Sequence, residues 1–158
     1  SKTLSPTLRL GYLVVPAGLR QAFSAAKRLT DRHSPLLEQD ALADMLASGA
    51  YERHVRAIRR KNAERRALLL RALADKLGQS VTVEGAGTGL HLVIWVNGVG
   101  ADRVASIVTA AQAAGIGLHP VTPLYDPAGP QPATAGFILG YAGLHVDALR
   151  QGVAVLAA

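Results

Sequence analysis

Ser1-Lys2-Thr3-Leu4-Ser5-Pro6-Thr7-Leu8-Arg9-Leu10-Gly11-Tyr12 sets a lysine seven residues before an arginine, across a segment that contains a proline. An amine forms an imine with an aldehyde only after it loses a proton, and desolvation or neighbouring positive charge promotes that loss. A turn at Pro6 would return Arg9 towards Lys2, and a guanidinium makes parallel hydrogen bonds to phosphate oxygens. The hydroxyls of Ser1 and Thr3 would assist. Taken singly, Lys2 is a solvated side chain beside a terminus and Arg9 a surface charge. The weight lies in the combination.

Outward from this segment, the run RLGYLVV, Arg9 to Val15, predicts a strand that stops at Pro16, which cannot continue a central ladder. Residues 17–32 place Leu19, Phe23, Ala26 and Leu29 at helical spacing. Ser34 as N-cap and Pro35 at the first helical position start a second helix to about Ala47, and Gly49 ends it. A third and longest helix, about Tyr51 to Leu77, carries Val55, Ile58, Leu69, Leu73 and Leu77 on one side, a basic surface on the other, and Gly78 as C-cap. Beyond Gly78 the pattern shifts to strands. VTVEG and GLHLVIWV are followed by an amphipathic helix from Asp102 to Ala114, a strand around Ile116 to Pro120 and a proline-rich loop to Pro132. The strand GFILGYA and a helix from Val146 close an α/β order without repeats.

With 158 residues, 49% of them apolar, the chain can bury a substantial core. It contains no cysteine, which excludes disulfides and thiolate chemistry and fits a reducing cytoplasm. No apolar run approaches the roughly 20 residues of a membrane span. Of 17 basic residues, 15 lie before position 80, so the net charge of +6 belongs to the first part. A motif-dense opening of this kind is expected in the interior of a longer chain.

The combination SKTLxPxLRLGY resembles the active-site segment of class I/II aminotransferases and, more closely, that of MocR-type transcriptional regulators. These join a winged helix-turn-helix domain to an aminotransferase-like domain. Residues 36–73 look like the family's helix pair. GTGLHLVIWV, Gly87 to Val96, resembles the MocR version of the next strand, where ordinary aminotransferases more often carry an aromatic residue near His91. LGYAGL and QGVAVL resemble the C-terminal strand and helix. The resemblance implies the C-terminal part of a pyridoxal 5'-phosphate (PLP) transferase of fold type I. The end of the large PLP-binding domain would occupy 1–49, a long interdomain helix 50–78, and a small α/β domain 79–158. It also implies Lys2 as the Schiff-base lysine, Arg9 as phosphate ligand, a homodimer, a small amine or amino-acid effector, and DNA contact through the helix-turn-helix domain.

Other motifs take plainer readings. Arg53, Arg56, Arg59, Arg60, Lys61, Arg65 and Arg66 form a stripe that could follow a phosphate backbone, but it lacks interleaved aromatics. It reads first as a solvated helix whose long stems cover apolar surface. His91 and His119 read first as partly buried structural histidines, and as effector-pocket candidates second; Tyr125 would line a pocket or simply pack. The glycines of EGAGTG imitate a phosphate loop, yet no lysine and helix follow, so they read as a turn. No histidine pair has metal-ligand spacing.

Aminotransferases usually dock the substrate α-carboxylate on an arginine of the C-terminal strand. Aligning FILGYA with that strand puts Ile138 at the arginine's position. This departure tilts the expectation from a class I/II aminotransferase acting on an amino acid towards a PLP-dependent sensor, in which differential affinity replaces turnover, while an arginine elsewhere, including upstream, could still bind a carboxylate.

Overall fold

A computed structural model describes residues 4–32, 35–85, 87 and 89–158. Helices α1 (Arg20–Asp31), α2 (Leu36–Ala47) and α3 (Ala50–Lys76) come first. Strand β1 (Val81–Glu84), β2 (His91–Gly100), α4 (Val104–Ala113), β3 (His119–Pro120), β4 (Thr134–Gly140) and α5 (Val146–Leu156) follow. The chain divides into two compact units, Ser1–Arg59 and Arg60–Ala158, with the division inside α3.

In the first unit the helices lie where the sequence places them. Gly49 separates α2 from α3 at φ +68°, a conformation that glycine adopts without a Cβ penalty. Pro35 is the residue at the N-cap of α2, and no side chain caps that end; the expected cap, Ser34, lies outside the described residues. The predicted strand from Arg9 to Val15 is absent. Residues 9–16 have no regular structure, and Tyr12, Leu13 and Val14 are exposed. A run of β-forming residues becomes a strand only when its backbone finds a ladder partner, and among the described residues of this unit there is no strand. None of its described residues is buried.

The second unit holds the core. Its sheet is antiparallel throughout, in the order β1-β2-β4-β3. Alternation along β2 sends Leu92 and Ile94 inward at 0% and 1% exposure, beside Phe137 of β4 at 1%. Leu68, Leu69 and Leu73 of α3, Ala111 of α4, and Leu149 and Val153 of α5 belong to the same cluster. All three helices therefore cover one face of the sheet. Each of the large side chains so removed from water contributes roughly 1.5–3 kcal/mol. The third strand is shorter than predicted: of Ile116 to Pro120, only His119 and Pro120 reach the register of β4. Gly78 follows the end of α3 at φ +50°, as its sequence position suggests.

Candidate functional site

Ser1, Lys2 and Thr3 lie outside the described residues; Arg9 does not. Between them the chain makes the turn that Pro6 suggests, a 3₁₀ turn over Pro6–Leu8. Ser5 caps it, its Oγ accepting from the Thr7 amide at 3.3 Å and lying 2.6 Å from the Thr7 hydroxyl. The Leu8 amide donates to the Ser5 carbonyl at 3.4 Å. Arg9 then takes φ 48°, ψ 30°, the left-handed region, with an exposed side chain. An arginine there costs on the order of 1 kcal/mol relative to glycine, and a non-glycine residue held in αL is a motive to look for function.

Beyond this turn an open surface groove lies between residues 11–15 and α1, lined by Tyr12, Leu13, Phe23, Arg20 and Lys27 among others. Lys27 is bonded to Asp31 one turn along. The ammonium beside it holds the Asp31 carboxyl below the ordinary carboxylate range.

The sheet of the second unit has one face outside the core cluster that Leu92, Ile94 and Phe137 share with the helices. Cross-strand partners point to the same face, so the register aligns Glu84, Val93, Ile138 and His119 in a row across β1, β2, β4 and β3. One step along, His91 faces Gly140. On the other side of the row Trp95 faces Gly136, and Val121 packs there at 4% exposure. The structure thus puts His91 and His119 on one face, flanking Ile138. It also corrects the reading of both as partly buried: each is exposed, on the face opposite the core cluster. Tyr125 follows the 3₁₀ turn Thr122–Leu124, with its amide donating to the Thr122 carbonyl at 3.1 Å and its side chain 39% exposed.

The basic side of α3 is more than a solvated surface. Arg65 Nη1 donates to the Ala142 carbonyl at 2.6 Å, and Arg66 Nη1 to the Gly87 carbonyl at 2.6 Å. Tyr141 Oη donates to Gly89 at 2.7 Å, and the Tyr141 amide to Leu90 at 3.1 Å. These bonds fix the sheet end that carries His91 and satisfy carbonyls in the glycine turn, where Gly85 and Gly89 have φ +74° and +99°. Ala86 and Thr88 of the expected turn lie outside the described residues. The roles of Arg65, Arg66 and Tyr141 were not readable from sequence, since none of the four carbonyl partners announces itself in residue type.

The probable rhizopine catabolism regulatory protein MocR of Rhizobium meliloti is 33% identical over 97% of this chain, which covers 30% of that protein. The HTH-type transcriptional regulator TauR of Rhodobacter capsulatus is 30% identical over 99% of the chain, covering 31% of its length. The chain thus spans about a third of the curated relatives it matches. No family model matches it. Among solved structures, the α-aminoadipate aminotransferase LysN of Thermus thermophilus, complexed with N-(5'-phosphopyridoxyl)-L-leucine, superposes with TM-score 0.76 at 25% identity over 99% of this chain and 39% of its own. A kynurenine aminotransferase of Pyrococcus horikoshii gives TM-score 0.84 at 22% identity over 99% and 38%. The fold is that of the C-terminal part of the fold-type I PLP transferases.

Proposed function

We propose that the chain is the C-terminal, aminotransferase-like part of a MocR-type transcriptional regulator, to which it is similar over nearly its whole length, and that it binds PLP and senses a small amine or amino-acid effector for a DNA-binding regulator. What carries this reading is the identity to MocR, which runs through 97% of the chain and hence through both units. Residues 1–49 are then the end of the PLP-binding large domain, 50–78 the long helix, and 79–158 the small domain. DNA contact belongs to a helix-turn-helix domain, and the working form is a homodimer.

Lys2 would hold the cofactor covalently and Arg9 its phosphate, with Ser1 and Thr3 assisting. PLP, when bound, supplies an aldehyde that captures an amine and a phosphate that needs an anion anchor. The capped turn at Pro6–Leu8 and the exposed guanidinium of Arg9 suit that anchor. His91 and His119 would contact the effector, with Tyr125 a lesser candidate. Ile138, without charge at the centre of their face, favours sensing over transamination of an α-amino acid.

The test uses the full-length protein with PLP. The visible absorbance of lysine-bound cofactor should be present in the wild type and lost in Lys2→Ala; equal spectra would refute the assignment. Amino-acid turnover in the same sample would make the protein an aminotransferase, whereas effector-dependent operator binding without turnover is the result expected of a sensor.

A further inference from the structure

Between Trp95 and Gly100 the ladder of β2 is interrupted: residues 96–99 of β2 stand opposite Ala135 alone on β4, and the register with β1 ends at Val96. Asn97 and Gly98 fall in this bulge. Both are exposed and Gly98 has φ +77°; among the described residues, no atom beyond its chain neighbours lies within 4 Å of where a Cβ would stand there. The carboxamide of Asn97 is held in place. Thr82 Oγ1 donates to its Oδ1 at 3.0 Å, and its Nδ2 donates at 2.7 Å to the carbonyl of Gln79, in the 3₁₀ turn Gly78–Ser80 ahead of β1.

An asparagine followed by glycine carries its own nucleophile. Once the Gly98 amide nitrogen loses its proton it can add to Cγ of Asn97, and glycine has no side chain to block the approach. The bulge takes this pair out of both strand registers. Negative charge then develops on Oδ1, the atom to which Thr82 donates, and a donor already in position stabilises charge as it forms. We propose that Asn97 is a site of spontaneous deamidation, assisted by Thr82. The bond from Gly98 N to Cγ forms, the bond from Cγ to Nδ2 breaks, and ammonia leaves with the proton that the Gly98 amide gave up. Water then opens either carbonyl of the resulting cyclic imide, to aspartate or to isoaspartate, with no oxidant or reductant involved. A carboxylate replaces the Nδ2 donor and meets the Gln79 carbonyl acceptor to acceptor, so the tie between β2 and the turn ahead of β1 is lost. The change is one-way and accumulates with the age of the molecule.

The test incubates the full-length protein at mildly alkaline pH and follows its tryptic peptide 77–103, in which Asn97 is the sole asparagine, by mass spectrometry. Asn97 should convert to a mixture of aspartate and isoaspartate, the latter detected by enzymatic methyl transfer. Thr82→Val should slow the conversion about fivefold, the worth of one neutral hydrogen bond. Thr82→Ser keeps the hydroxyl and should convert at the wild-type rate. In urea, where the contact is gone, all three should convert alike. Thr82 is exposed on an edge strand, and Thr82→Ala gives the same reading should Thr82→Val not fold. An Asn97 that persists in the folded protein while the urea-unfolded chain converts would overturn the proposal, as would a folded variant without the hydroxyl that converts as fast as the wild type or faster.

Discussion

The indole of Trp95 occupies the space that a side chain at Gly136 would need: a Cβ built there comes 2.6 Å from Trp95 Cε3 and 2.8 Å from Val121 Cγ2. Gly136→Ala should therefore push Trp95 and Val121 off the sheet and destabilise the second unit by about 1–3 kcal/mol. Denaturant unfolding would show it as a lower midpoint. Trp95→Leu in the same chain should recover part of the loss, because the smaller side chain vacates the clash; no recovery would mean that the strain lies in the backbone.

Tyr141 is 1% exposed and its hydroxyl ends on the Gly89 carbonyl. Tyr141→Phe keeps the packing and strands that acceptor, so stability should fall by about 0.5–1.5 kcal/mol. Hydrogen exchange should quicken at the amides of residues 89–92 and remain unchanged at the far end of β2. A uniform acceleration along the strand would show that the hydroxyl supports the whole sheet instead of one turn.

At Arg9, backbone and side chain are separable. Arg9→Gly relieves the left-handed strain and removes the guanidinium. The variant should melt no lower than the wild type yet bind PLP at least tenfold more weakly, as read by equilibrium dialysis. Undiminished affinity would remove Arg9 from the phosphate site.

Asp31 has a folded-state titration lowered chiefly by its hydrogen bond and charge contact with Lys27. A depressed carboxyl contributes its tie above the unfolded pKa and loses it as pH falls through the folded one. The group is exposed, so the effect stays local: acidification should loosen the last turn of α1, the lost tie to Lys27 outweighing the relief of a carboxylate at the negative end of the helix dipole. Lys27→Met should move the Asp31 midpoint upward in an NMR titration, and an unmoved midpoint would refute the contact.

Helix positions were legible because period 3.6 is a local property. Gly49 and Gly78 marked real boundaries. Pairing was not legible. Arg9 to Val15 has the composition of a strand without a ladder, and β3 shrinks to the two residues that find β4. The candidate site divides the same way. The Pro6 turn ahead of Arg9 was foreseeable, whereas His91 and His119 sharing a face with Ile138 required the register, and Lys2 lies outside the described residues.

Burial confined to the second unit also has a calorimetric meaning. Cooperative heat uptake comes from surfaces that leave a packed interior together, and none of the described residues of Ser1–Arg59 is buried. At roughly 0.7 kcal/mol per residue near 60 °C, the 158-residue chain alone should absorb the about 70 kcal/mol of a domain of some 100 residues, and fall short of the about 110 kcal/mol its length would suggest. Leu29, Leu36 and Leu37 are thus latent enthalpy, released to the melting transition only when another surface covers them.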